Sequence, residues 1–219
     1  MFIISKPEEY KMARGFFITI EGIEGCGKST QARFLYDHLI REGIDSILTH
    51  EPGGTEAGIM IRDILLNSKT LSPYCELFLF MADRSQHVEE IINPALLRGA
   101  IVICDRYYHS TFAYQSGGRG INSKVIENLN DLAVNEARPD LTFYIDIPPE
   151  IGLSRKNSAS LSLDRIEKEE LDFHRQVREA FKNMALSCSN IVLIDGDRGI
   201  EEVGREIIDI FFKKFNKTG

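Results

Sequence analysis

The 219-residue sequence has no surplus of positive charge, no closely paired cysteines, no long apolar run and no linker. Each shortage removes a class of protein. Its 33 acidic side chains outnumber 26 Lys and Arg, giving a formal net charge of −7. A nucleic-acid coat needs a basic face, so a nucleic-acid polymer is not an expected partner, although local Arg clusters can still hold small anions. Cys26, Cys75, Cys104 and Cys188 form no C-x-x-C pair, which argues against a disulfide framework or zinc site and fits a reducing, cytoplasmic setting. Cys75 and Cys104 stand in apolar surroundings and are expected in the core. No stretch approaches the ~18 apolar residues of a membrane span. The opening MFIISKPEEYKMARG has too short an apolar run for a signal peptide. It reads as a loose extension over residues 1–15, with Met12 as an alternative start. With no Pro/Gly/Ser-rich divider, repeat or low-complexity tract, one domain over residues 1–219 is expected, and 43% hydrophobic residues suffice for one core.

Five short, near-continuously apolar runs are present: FFITIE (16–21), SILTHE (46–51), IVICD (101–105), TFYID (142–146) and IVLID (191–195). Such runs are strands covered on both faces. Helical stripes fill the gaps: Ala32, Leu35, Leu39 and Ile40; Val125, Leu129, Leu132 and Ala133; Phe173, Val177, Phe181 and Met184; Val203, Ile207, Ile210 and Phe211. Alternation of this kind predicts an α/β fold with a five-stranded parallel sheet and helices on both faces. Ligands of such sheets bind beyond the carboxyl ends of the strands. Glu21, Glu51, Asp105, Asp146 and Asp195 end the five runs and would share that rim; Asp146 and Asp195 equally fit plain strand-end punctuation.

Gly22-Ile23-Glu24-Gly25-Cys26-Gly27-Lys28-Ser29, followed by Thr30, satisfies G-x-x-x-x-G-K-[ST] between a predicted strand and a predicted helix. The glycines let backbone N–H groups turn inward around phosphate oxygens, and the helix N-terminus adds positive potential. Lys28 would reach the β- and γ-phosphates of a nucleoside triphosphate and Ser29 would hold Mg²⁺. This P-loop NTPase signature does not name the reaction, since switches, motors and small-molecule kinases share it.

The acceptor side begins with a helix expected over residues 72–92, with Ser72 as N-cap and Pro73 at its first position. Phe80 and Arg84 lie four apart and share a face. A ring to stack on a base and a guanidinium to donate to a keto oxygen suit a pyrimidine; a core Phe beside a surface Arg is the plainer alternative. Asp105-Arg106-Tyr107 follows the third strand, and Arg106 is placed to bridge phosphates. Arg62 offers another cation, although a solvated surface Arg explains it as well. No Ser-His-Asp-type constellation stands out. A phosphate-monoester acceptor needs none, because its second pKa is about 6 and at pH 7 it is already largely a dianion.

Taken together, EGIEGCGKST, EPGGT (51–55), FMADR (80–84), DRYYHSTFAYQSGGRG (105–120), RPDLTFYID (138–146) and DRIE (164–167) resemble the thymidylate kinase family, from about Phe16 to the last helix. The resemblance implies transfer of a phosphoryl group from ATP to dTMP. It implies that Phe80 stacks on thymine, that Arg84 donates to O4 and that Arg62 and Arg106 bind the dTMP phosphate. Thr111 and Gln115 would meet the N3 edge, Tyr114 would crowd the 2′ position and Glu24 would accept from the 3′-hydroxyl. Asp105 would help hold Mg²⁺. Glu51 and Pro52 would belong to the substrate site through a cis peptide bond. A homodimer is also implied. Some members carry a catalytic Arg in the phosphate loop where this chain has Gly25; others place the cation in a small mobile lid before DRIE. Here the lid would be residues 152–164, with Arg155 as first candidate, then Lys156 and Arg165. Two other readings stay open from the residues: a kinase for another small acceptor, and a nucleotide-dependent switch. The guanine-reading N-K-x-D of a GTPase is not matched by Asn216-Lys217-Thr218, which no Asp follows.

Overall fold

A computed structural model of the chain describes residues 14–159 and 164–216. Most of the expected N-terminal extension lies outside the described residues. Its last residue, Gly15, is not loose: its N–H donates to the Leu96 carbonyl at 2.8 Å.

Strands β1 (Phe17–Glu21), β2 (Ser46–His50), β3 (Ile101–Asp105), β4 (Leu141–Asp146) and β5 (Ile191–Asp195) form one parallel sheet in the order β2-β3-β1-β4-β5. All five expected strands are found, with one end displaced by a residue at β1, β2 and β4. Their unbroken apolar character has a simple cause. Successive side chains point to opposite faces, and both faces are covered. Ile18, Ile20, Ile103 and Phe143 pack with Leu35 and Leu39 of α1 (Lys28–Arg41) and Ile207 and Phe211 of α9 (Ile200–Phe215). On the other face Phe17, Val102 and Cys104 pack with Val88, Ile92 and Leu96, and Tyr144 stacks on Phe181 of α8 (Leu171–Ser187), ring centroids 5.0 Å apart. Burying each such side chain contributes roughly 1.5–3 kcal/mol.

The remaining helices are α2 (Glu56–Asn67), α3 (Pro73–His87), α4 (Asn93–Leu97), α5 (Tyr108–Thr111), α6 (Ser123–Val134) and α7 (Pro149–Ala159). Ser72 caps α3 as expected, its hydroxyl accepting from the Cys75 N–H. The helix then runs beyond residue 92: a π-helical turn, Val88–Ile92, joins α3 to α4. Pro94 lacks the N–H that would continue the α ladder, and the wider turn precedes it. A second π-helical segment, Phe112–Gly118, follows α5 and carries Tyr114 and Gln115.

Two further sequence expectations are corrected. Cys75 is exposed, on the outer side of the first turn of α3, while Cys104 is buried in β3. The α6 stripe has another phase: Ile126, Asn130, Ala133 and Val134 are buried, whereas Val125 and Leu132 are exposed. The polar Asn130 broke the apolar period, and its buried position has a use described below.

Candidate active site

A crevice of about 750 Å³ opens beyond the carboxyl ends of β1, β2 and β3, and Lys28, Phe80, Arg84, Asp105, Arg106 and Arg155 all line it. The order of the sheet creates it. β1 lies between β3 and β4, and the chain leaves β1 for β2 on one side and later reaches β4 on the other.

The glycine-rich loop forms one wall. α1 starts from Gly27 at φ 96°, with no side-chain cap and no acid in its first turn. Thr55 and Ser72, by contrast, cap α2 and α3 with their hydroxyls. The first N–H groups of α1 are thus left for an anion, with the helix dipole behind them. Gly27, Ser29 and Thr30 line the crevice there, and the Lys28 ammonium bends back to the Ile23 carbonyl at 2.7 Å. Ser29 donates its hydroxyl to Asp105 Oδ2. The other oxygen, Asp105 Oδ1, is buried and has no hydrogen-bond partner among the described residues. A hydroxyl beside a carboxylate with unused acceptor capacity fits Mg²⁺, which takes one or two protein oxygens and completes its shell with water and phosphate.

Gly25 stands at the position where the resemblance implied an Arg in some members of the family. Its φ is +70°, and a Cβ here would strike the Gly152 carbonyl oxygen at the start of α7. Gly152 is equally tight, since its own Cβ would meet the Glu24 carbonyl oxygen. The phosphate loop and α7 therefore touch backbone to backbone, and a side chain at position 25 requires α7 to move. Gly25→Ala should destabilise the chain by about 1–3 kcal/mol, from the left-handed backbone and the clash together. Urea unfolding checks this; an unchanged midpoint would mean that α7 yields freely.

Arg106 follows β3 with φ 69°, a left-handed conformation that L residues adopt at a cost. It donates to the Gly22 carbonyl (3.0 Å), Ser110 Oγ (3.1 Å) and Glu24 Oε1 (2.8 Å), and its guanidinium lies 5.1 Å from the Tyr114 ring centre. Tyr114 donates its hydroxyl to the same Glu24 oxygen at 2.6 Å, and His174 Nδ1 lies 3.5 Å from the other. Burial works to raise the Glu24 carboxyl, but Arg106, His174, Lys28 and Tyr114 outweigh it and hold it well below the usual carboxylate range. Glu21 behaves oppositely: burial pushes it up to about 7, despite hydrogen bonds from Ser110 and the Tyr107 N–H.

The second wall carries Phe80 and Arg84. Phe80 is half-buried on α3, and Arg84, one turn on, is buried rather than on the surface. Arg84 donates through Nε to Glu51 Oε2 (2.9 Å) and through Nη1 to Thr111 Oγ1 (2.9 Å) and Asn130 Oδ1 (2.8 Å). Its guanidinium also lies 5.2 Å from the Tyr107 ring centre. The other oxygen of Glu51 meets His87 Nδ1 at 2.9 Å, and His87 Nε2 meets Thr49 Oγ1 at 2.6 Å. The Glu51–Pro52 bond is cis, as the resemblance implied. Arg62 is exposed, yet it lines the crevice and donates to the Pro52 carbonyl at 2.8 Å. Gln115, buried, also faces this cavity.

The lid candidates divide. Arg155 lines the crevice and makes long contacts to Asp197 (3.3 Å) and the Gly196 carbonyl (3.4 Å). Lys156 lines it too, 2.7 Å from Glu167. Arg165 does not line this crevice: it is tied to Glu76 (2.6 Å) and to the Leu65 carbonyl (3.0 Å). Much of the expected 152–164 segment forms the end of α7, and residues 160–163 lie outside the described residues. Asp146 and Asp195 prove to be strand-end residues away from the crevice; Asp146 accepts a two-pronged pair from Arg178 at 2.8 Å each. Sequence reasoning missed Asn130, His87, His174 and Glu76. The available signals were a polar residue inside an apolar helical period (Asn130) and residues one helical turn from a recognised site residue (His87, Glu76).

The chain matches the family model described as Thymidylate kinase over residues 20–207. It is similar to proteins named thymidylate kinase. That of Sulfurihydrogenibium sp. (strain YO3AOP1) is 47% identical over 198 residues, covering 89% of this chain and 96% of that one. That of Halothermothrix orenii is 45% identical over 197 residues, covering 89% and 95%. That of Fervidobacterium nodosum is 44% identical over 195 residues, covering 89% and 98%.

Proposed function

Because the chain belongs to the thymidylate kinase family, we propose that it transfers the γ-phosphoryl group of ATP to the 5′-phosphate of dTMP, giving ADP and dTDP for dTTP biosynthesis. The observation that carries this is one crevice holding the P-loop lysine, the Phe80–Arg84 pair and Arg106 together.

The residues divide the work. The loop from Gly22 to Thr30 binds the ATP phosphates, with Lys28 neutralising the charge that develops there. Arg62 and Arg106 hold the dTMP phosphate. Phe80 stacks on thymine, Arg84 donates to O4, and Thr111 and Gln115 meet the N3 edge. Glu24, kept ionised by Arg106, accepts from the 3′-hydroxyl, and Tyr114, fixed against Glu24, fills the space of a 2′-hydroxyl. Bound Mg²⁺, held through Ser29 and Asp105, supplies neutralisation of the phosphate oxygens. Arg155 provides the lid cation, since the contact of Gly25 with Gly152 leaves no room for one in the loop. No side-chain base is required, because the acceptor phosphate is already a dianion; positioning and charge neutralisation are the catalysis.

One catalytic domain with residues 152–164 as its lid performs this reaction. Exposed Ile59, Met60, Tyr74 and Phe78 on α2 and α3 support the homodimer of the family, and four free cysteines support a cytoplasmic setting.

Turnover with ATP and Mg²⁺ against dTMP, dUMP, dCMP, UMP and thymidine tests the assignment. dTMP should be preferred, and faster use of thymidine or dCMP would overturn it. Phe80→Ala should weaken dTMP binding by ~1–3 kcal/mol, the usual worth of base–aromatic stacking, with ATP affinity retained. A loss confined to ATP would show that the two subsites have been exchanged.

A further inference from the structure

The face of α3 that carries Phe80 and Arg84 also carries Glu76, one turn earlier, which is 1% exposed. Its carboxylate collects donors from two other parts of the chain. Gln115 Nε2 donates to Oε1 at 2.8 Å. Arg119 donates through Nε and Nη2, each at 3.2 Å, and Arg165 Nη2 lies 2.6 Å from Oε2. The two arginines are themselves fixed. Arg119 pairs with Glu169 at 2.7 Å and lies over the Phe173 ring, and Arg165 donates to the Leu65 carbonyl. Burial works to raise the Glu76 carboxyl, but these donors outweigh it and it stays below the usual carboxylate range.

An ionised carboxylate only accepts hydrogen bonds. The amide of Gln115 must therefore turn its NH₂ toward Glu76, which leaves its carbonyl oxygen for the crevice that Gln115 lines. We propose that Glu76 is a positioning residue that fixes the Gln115 side chain as a hydrogen-bond acceptor and thereby selects pyrimidines that carry a proton on N3. Thymine and uracil present N3–H to that oxygen. Cytosine presents an N3 lone pair, which meets it acceptor to acceptor. A site built to hydrogen-bond one group rejects the analogue that lacks it, because its own buried polar group is left unpaired. This adds to the discrimination by Arg84 at position 4 and rests on the reading of the crevice as a dTMP site.

The test is Glu76→Gln. A neutral amide at position 76 accepts as well as donates, so Gln115 is free to reverse. The ratio of kcat/KM for dTMP over 5-methyl-dCMP should fall about tenfold, mainly through KM, the worth of one hydrogen bond. In a Gln115→Ala background the same substitution should change that ratio by less than about twofold, because residues that act through one another are not additive. An unchanged ratio in Glu76→Gln, or an equal fall in both backgrounds, overturns the proposal; the second result would mean that Glu76 only supports the fold. Should Glu76→Gln not fold, NMR of the wild-type chain decides. The Gln115 side-chain amide, identified by its loss in Gln115→Ala, should show one downfield, slowly exchanging proton, and rapid exchange of both would overturn the proposal. The dTMP reading itself fails separately, if the wild-type chain prefers dCMP or thymidine.

Discussion

Arg106→Ala is expected to lower kcat for dTMP by about 10³-fold, the range of arginine contributions to phosphoryl transfer. Donor and acceptor phosphates must approach each other, and two unit charges ~4 Å apart at an effective dielectric of ~20 repel by roughly 4 kcal/mol. About 4 kcal/mol of barrier corresponds to that 10³-fold. The guanidinium is prepared for this role. Its left-handed backbone aims it into the crevice, and Gly22, Ser110 and Glu24 fix it there. Tyr114, Glu24, Asp105 and Glu21 raise its pKa although burial opposes its charge. The fold should survive, because Glu24 keeps Tyr114 and His174, and Ala meets the same backbone restriction as Arg. Arg106→Lys should recover only part of the rate, since an ammonium keeps the charge but not the two-pronged geometry. Steady-state kinetics beside a urea melt separates the two effects. A near-wild-type rate would remove Arg106 from the mechanism.

The strands and the phosphate loop were legible because each follows from local rules. A doubly covered strand must be apolar throughout, and a loop that wraps phosphate needs glycines at set positions. The phase of α6 was not legible. The apolar count favoured Val125 and Leu132, and only the buried guanidinium of Arg84 explains why Asn130 faces inward. The plainer reading of Arg84 as a surface residue failed for a related reason. Its partners Glu51, Thr111 and Asn130 come from three separate segments, and no window of sequence brings them together. Arg165 shows the converse. Its place beside the expected lid suggested a catalytic cation, yet Glu76, 89 positions earlier in the chain, claims its charge.

The second large effect is expected at Arg84, where stability and substrate binding should part company. Arg84 and Glu51 are each 2% exposed and meet at 2.8 Å. Removing one partner of a buried pair strands the other, and such losses run to about 3–5 kcal/mol. Arg84→Met should therefore lower the melting temperature by roughly 6–20 °C, at about 2–4 °C per kcal/mol for a chain of this size. It should also weaken dTMP binding by ~1.5–3 kcal/mol, the worth of a charge-assisted hydrogen bond to O4. Adding Glu51→Gln neutralises the stranded carboxylate and keeps a side chain to meet His87. The double variant should regain at least half of the lost stability, because the penalty came from the charge left behind rather than from the contact itself. It should regain none of the dTMP affinity, because the donor to O4 is still missing. Thermal melts give the first quantity and KM for dTMP the second. If the double variant recovered dTMP binding along with stability, Arg84 would be a support for Glu51 and not a reader of the base.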